Sequence, residues 1–237
     1  AGNNIKLGFS VSGINFNLTS AFIALSPNAP YKLVIESGTA ANVKAGVAQS
    51  NNFFIRLQDF YGNSTTQSST ISVVVAAVSA SDEATVQRTV GTYSINPGSN
   101  FVDIPKGGFF VQQVGDYKFR FSASGLVTAF TSQFSVTNAA AFQLSILQNM
   151  PATIQSGITF SPVVRLQLQD QFANPVLDST VSVSVSAIAG TVFGIAGGVA
   201  GNTLGDSIIE FPGLALSGVS GSAQIRFTAA SVGTSVN

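Results

Sequence analysis

The chain has 237 residues, enough for one large domain or two of ordinary size. Ten basic and ten acidic residues cancel, and charged residues make up only 8% of the chain, against about 25% in an average globular protein. That balance lacks the basic footprint of a nucleic-acid binder, while 45% hydrophobic residues supply packed cores and exclude a disordered tract.

In chain order, the opening "AGNNIKLGFS" shows no charged segment followed by an apolar one, the pattern of a signal peptide. Residues 52–59 predict a strand. Phe53, Ile55 and Leu57 share one parity and Asn52, Arg56 and Gln58 the other, with Phe54 the exception. Turn chemistry follows at Gly62-Asn63, Asn96-Pro97-Gly98 and Pro105-Lys106-Gly107-Gly108. Phe109-Phe110 reads as a strand with one ring on each face. Residues 117–122 predict another, with Tyr117, Phe119 and Phe121 inward.

Beyond Asn138, Val164, Leu166 and Leu168 alternate with Arg165, Gln167 and Gln169, and Asn174-Pro175 makes a turn. Over 180–187, Val181, Val183 and Val185 alternate with serines. "GIAGGVAGNTLG" (194–205) has no Lys and no following helix pattern, so it reads as a long adaptable loop rather than a phosphate cradle. No long segment carries apolar residues at helical spacing, and no apolar run approaches the ~18 residues of a membrane span.

A repeat underlies this order. Leu57-Gln58-Asp59 returns as Leu168-Gln169-Asp170 and Leu33 as Leu144, both 111 residues on. "YKFRFSASG" (117–125) returns as "AQIRFTAAS" (223–231), 106 residues on, implying a shorter intervening loop. "IKLGFSVSG" (5–13) matches "YKFRFSASG" in turn, and Phe22 falls on Phe134. The expected organisation is therefore 1–27 as the closing strands of a preceding module, 28–138 as a complete module, and 139–237 as a module lacking its last strand. Short junctions at Ser26–Pro30 and Thr137–Ala140 favour a semi-rigid arrangement.

Histidine and cysteine are both absent, which removes Ser-His-Asp triads, thiol nucleophiles and histidine or cysteine metal sites. Asp82-Glu83 is the one close carboxylate pair, read as solvated loop charge. Asp59 with Asn63, and Asp170 with Asn174 and Asp178, suggest calcium. That ion wants six to eight oxygens, however, and a strand-ending Asp that accepts backbone N–H bonds in a turn is the preferred reading. No cofactor or metal is expected. Asn17-Leu18-Thr19 and Asn63-Ser64-Thr65 are glycosylation sequons. The outward rings of Phe54 and Phe110 are candidate interface residues, or else pack against a neighbouring loop.

The order "RLQDFYGN…TISVVV…GDYKFRFSASG", repeated as "VRLQLQDQFANP…TVSVSV…AQIRF", resembles the bacterial-type immunoglobulin-like tandem repeats of large surface and adhesin proteins. Filamin-type repeats share a similar Asp-x-x-Gly-Asn turn and form the second resemblance. Either implies an all-β fold of tandem immunoglobulin-like β-sandwich modules of about 111 residues. Gly115-Asp116-Tyr117 resembles the tyrosine corner of such domains, where the last module has Ala223.

The first resemblance implies a non-catalytic extracellular or cell-surface stalk, adhesin or filament, with copies of itself or neighbouring surface proteins as partners. The alternatives are a glycan- or protein-binding module and a cytoplasmic filamin-like scaffold.

Overall fold

In a computed structural model, the structure describes residues 4–10, 12, 17–21, 23–148, 150–177, 181–197, 207–230 and 235–236. Phe22, Asp178, Asp206 and most of the glycine-rich run 194–205 lie outside them. Among the described residues every element is a strand except one short 3-10 turn at Lys106–Gly108. Packing divides the chain into two units. The first comprises residues 1–41, 48–110 and 116–134, and the second 42–47, 111–115 and 135–237.

Four short strands open the first unit: β1 (Asn4–Ile5), β2 (Gly8–Ser10), β3 (Asn17–Thr19) and β4 (Ile23–Ala24). β1 pairs with β4 and β2 with β3. Next come β5 (Lys32–Ser37), β6 (Val43–Lys44), β7 (Phe53–Gln58), β8 (Ile71–Ser79), β9 (Val86–Ile95), β10 (Phe101–Ile104), β11 (Gly115–Ser122), β12 (Ala129–Phe130) and β13 (Phe134–Thr137). One sheet has the order β10-β7-β5. Facing it, β9, β8 and β11 lie side by side with β12 on β11.

Burial on β7 and β11 follows the period of two that a one-faced sheet requires. Phe53, Ile55 and Leu57 point inward from β7 and Tyr117, Phe119 and Phe121 from β11. The two sheets meet through these rings, with Phe53 5.8 Å from Phe119 and 5.5 Å from Phe121, and Phe109 4.9 Å from Phe119 edge to face. Phe109-Phe110 is not a strand. β10 stops at Ile104 because Pro105 has no N–H to continue the ladder, and the chain turns through Lys106–Gly108.

The second unit holds β6 paired in parallel with β13. It also holds β14 (Gln143–Ile146), β15 (Val164–Gln169), β16 (Val183–Ala196), β17 (Ile208–Phe211), β18 (Ala215–Ala229) and β19 (Ser235–Val236). Its sheets are β14-β15-β17 and β16-β18-β19. Leu144, Leu166, Leu168, Phe211, Ile225 and Phe227 are central to one core cluster, and the rings of Phe211 and Phe227 are 5.4 Å apart. Gly194 and its neighbours, expected in a loop, close β16, which runs on to Ala196 against β18 with three register irregularities.

The repeat reappears as hydrogen-bonding register. Leu33 faces Leu57 as Leu144 faces Leu168. On the opposite side of the central strand Ile104 faces Phe53, while Phe211 faces Val164. Each unit is a β-sandwich.

Candidate functional site

The central strands β7 and β15 each run into an aspartate. Asp59 Oδ1 accepts the backbone N–H of Tyr61 at 3.0 Å and of Asn63 at 2.8 Å. Its Oδ2 accepts the backbone N–H of Asn28 at 3.0 Å and the Asn63 side-chain amide at 3.0 Å. Asp170 repeats the arrangement, with Phe172 N at 2.8 Å and Asn174 N at 3.0 Å on Oδ1, and Ala139 N and Asn174 Nδ2, both at 2.9 Å, on Oδ2. Gly62 and Ala173 take the positive φ each turn needs, 89° and 66°.

Both carboxylates are fully shielded from solvent. The Asn63 amide, helped by the backbone N–H groups of Asn28, Asn63 and Tyr61, overcomes burial and holds Asp59 at about 2, below its ordinary value. Burial pushes Asp170 up, but the Asn174 amide and the N–H groups of Ala139, Asn174 and Phe172 outweigh it and keep its pKa low. The partners around each carboxylate are N–H donors, the reverse of the oxygen cage that calcium takes. Asp59 and Asp170 tie a turn to a residue 31 positions upstream.

The two corners differ in what lies beyond the turn. In the second unit Asn174 is 1% exposed. Its Nδ2 also donates to the carbonyl of Gln112 at 2.7 Å, and its Oδ1 accepts the N–H of Val114 at 3.1 Å. Gln113 Nε2 donates to the carbonyl of Phe172 at 3.4 Å. The Phe172 ring lies so close over Gly46 that a Cβ there would collide with it, at a φ of +76°.

In the first unit the matching Asn63 is exposed, and among the described residues its Oδ1 has no hydrogen-bond partner. Tyr61 and Phe60 are 77% and 64% exposed. Phe60 meets Tyr31 at 5.2 Å and Tyr61 at 5.4 Å, both edge to face, forming an aromatic knuckle at the surface.

The sequons fall differently. Asn17 lies on β3. Asn63 Nδ2, the atom that carries a glycan, already donates to Asp59, and Thr65 is buried with its hydroxyl donating to the Asn28 carbonyl at 2.6 Å. In the folded turn both the Asn63 amide and the Thr65 hydroxyl are thus engaged.

Phe54 is half-buried, stacked on Phe101 at 4.6 Å with the Arg56 guanidinium 5.7 Å from its ring. Phe110 is half-buried under Arg88, whose guanidinium carbon is 3.5 Å from the ring centre. Both outward rings have cover from their own unit, Phe54 from β10 and Phe110 from β9.

The described carboxylates take structural partners. Asp82 accepts from the Thr85 hydroxyl and backbone and from the Ala84 N–H, which lowers its pKa. Glu83 pairs with Lys118, Glu36 with Arg56 and Glu210 with Arg165. A cleft of about 720 Å³ in the second unit, between Met150–Ile154 and residues 216–225, is lined by apolar, hydroxyl, glycine and amide residues, none of them titratable. Among the described residues this lining supplies neither an acid nor a base.

The long-range partners Asn28 and Ala139, and the contact of Asn174 with Gln112 and Val114, have no signature in local composition. The available signal is the equal 31-residue spacing from Asn28 to Asp59 and from Ala139 to Asp170.

The protein is thus an all-β chain of sandwich units. No sequence family matches it, and no curated protein matches it. Among solved structures it is similar to the crystal structure of CBD12 from CALX1.2 (12% identity, TM-score 0.30), covering 83% of this chain and 79% of that one. It is also similar to the BSP domain of a biofilm associated protein (11%, TM-score 0.23), covering 86% and 27%. A third likeness is to the fibronectin(III)-like modules of Clostridium thermocellum CbhA (16%, TM-score 0.21), covering 83% and 84%. Likenesses this weak carry no argument, and the sandwich stands on its own sheets and cores.

Proposed function

We propose that this chain is part of a non-catalytic array of tandem immunoglobulin-like modules, with boundaries near residues 27 and 138, in an extracellular stalk, adhesin or surface filament. One observation carries the reading. The best-built polar constellation, at Asp59 and again at Asp170, is spent on holding a turn to a backbone N–H 31 residues upstream, where the proposed modules begin. The engaged carboxylates and the untitratable cleft lining agree with it. Electron microscopy of the native protein with its adjoining modules tests it. A regular polymer or a stalk is the expected image, and a hydrolytic activity tracked to this chain would overturn it.

A second reading has one specific support. Phe54 and Phe101 form a stacked pair, Phe101 43% exposed, that suits the apolar face of a sugar. A glycan array probed with the chain and with Phe101→Ala decides it; no hit with the unaltered chain removes the reading.

A further inference from the structure

We propose that the corner formed by Tyr31, Phe60, Tyr61 and Asn63 is a docking surface for a preceding module of the same kind, received through the segments that correspond to 42–47 and 111–115. The inference rests on the tandem-array reading and names the partner of this surface.

The second unit displays the occupied form of the same corner. By the 111-residue repeat, Phe172 stands where Tyr61 does and Asn174 where Asn63 does. Both turns are built on the same four carboxylate bonds, so the ring and the amide leave them in equivalent places. At the occupied corner the amide satisfies a carbonyl and an N–H of Gln112–Val114, and the ring covers Gly46. By sequence those segments belong to the module that precedes the Asp170 corner.

At the Asp59 corner the same amide leaves its Oδ1 without a partner among the described residues, and the same ring position is 77% exposed. The Tyr61 ring, beside an amide whose oxygen and second N–H are unengaged among the described residues, matches the combination already engaged at Phe172 and Asn174. A second copy of this chain does not supply the partner, because its own 42–47 and 111–115 edge is covered by its own Phe172 and Asn174. A preceding module of the same kind supplies both segments.

The chain contains few tyrosines, four in all, so nitration by tetranitromethane read by peptide mass spectrometry reports each one. Two proteins are compared with the 237-residue chain. Phe172→Tyr places a reporter at the occupied corner. A longer chain carries a copy of residues 28–138 in place of residues 1–27, with Tyr61→Phe in the added copy so that one Tyr61 is read.

The expected result is that Tyr61 reacts readily in the 237-residue chain, that the tyrosine at 172 is protected, and that Tyr61 becomes protected to the same degree in the longer chain. Tyr61 reacting equally in both chains would overturn the proposal while leaving the array reading intact. A tyrosine at 172 as reactive as Tyr61 would overturn it too, since the occupied template would then not exist in solution. Catalysis by the chain would sink the array reading whatever the state of this corner.

Discussion

The backbone N–H of Asn28 donates to Asp59 Oδ2 at 3.0 Å across 31 residues of chain, and Ala139 donates to Asp170 Oδ2 at 2.9 Å across the same 31. Each aspartate thereby closes its own turn and fixes the segment that leads into the sheet. Removing the carboxylate leaves four N–H donors without their acceptor. Asp59→Ala and Asp170→Ala are each expected to lower the melting temperature by roughly 5 °C or more, where Asp103→Ala, on an exposed residue, leaves it nearly unchanged. Differential scanning calorimetry makes the comparison.

Acid sensitivity follows from the same two groups. Asp59 titrates at about 2 when folded, against an ordinary value of 3.8, and Asp170 is also lowered. A depressed folded pKa gives stability that is fully present above the unfolded pKa and is lost as pH falls through the folded one. Urea midpoints are therefore expected to hold from pH 7 to about 4 and to decline between about 4 and 2. Asp59→Asn should be less stable at neutral pH and show a shallower decline over that window. An unchanged slope in the variant would remove Asp59 as the cause.

Phe54 and Phe119 separate surface from core. Phe119 is fully buried among Phe53, Phe109 and Phe134, so Phe119→Ala is expected to cost about 3–5 kcal/mol. Phe54 loses chiefly its stack on Phe101, so Phe54→Ala is expected to cost about 1 kcal/mol. Chemical denaturation of both variants reads the difference.

Gly46 meets two constraints at once, a φ of +76° and the Phe172 ring where a Cβ would stand. Gly46→Ala is expected to destabilise the second unit. Phe172→Ala in the same chain should recover the part due to the ring but not the part due to φ, giving a non-additive pair. Additive losses would show that the ring does not press on this glycine in solution.

Much of the fold was legible in the sequence because a sheet with one buried face writes its parity into the chain. Tyr117, Phe119 and Phe121, or Val164, Leu166 and Leu168, need no neighbour to be recognised. The 111-residue spacing was legible for the same reason: the residues that repeat are those whose register repeats, Leu33 against Leu57 and Leu144 against Leu168. The turn at Asp59 was legible from Gly62-Asn63.

The fourth donor to that carboxylate was not, because any backbone N–H serves and Asn28 and Ala139 share no side-chain chemistry. Nor was the fate of Phe54 and Phe110, since the Phe101 ring on β10 and the Arg88 guanidinium on β9 that cover them are distant in sequence. β16 outran its expected end because glycine breaks a propensity pattern without forbidding pairing to β18.

β5 and β14 are edge strands, and β7 and β15 are central. A pull on the chain upstream of Asn28 or Ala139 would, without the aspartates, act first on the outermost strand of each sheet and peel it bond by bond. With them, the load passes through the carboxylate into the strand that is bonded on both sides. On the tandem-array reading the corner would act as a strain relief, and a chain of such modules would resist traction through its sheet centres rather than its edges.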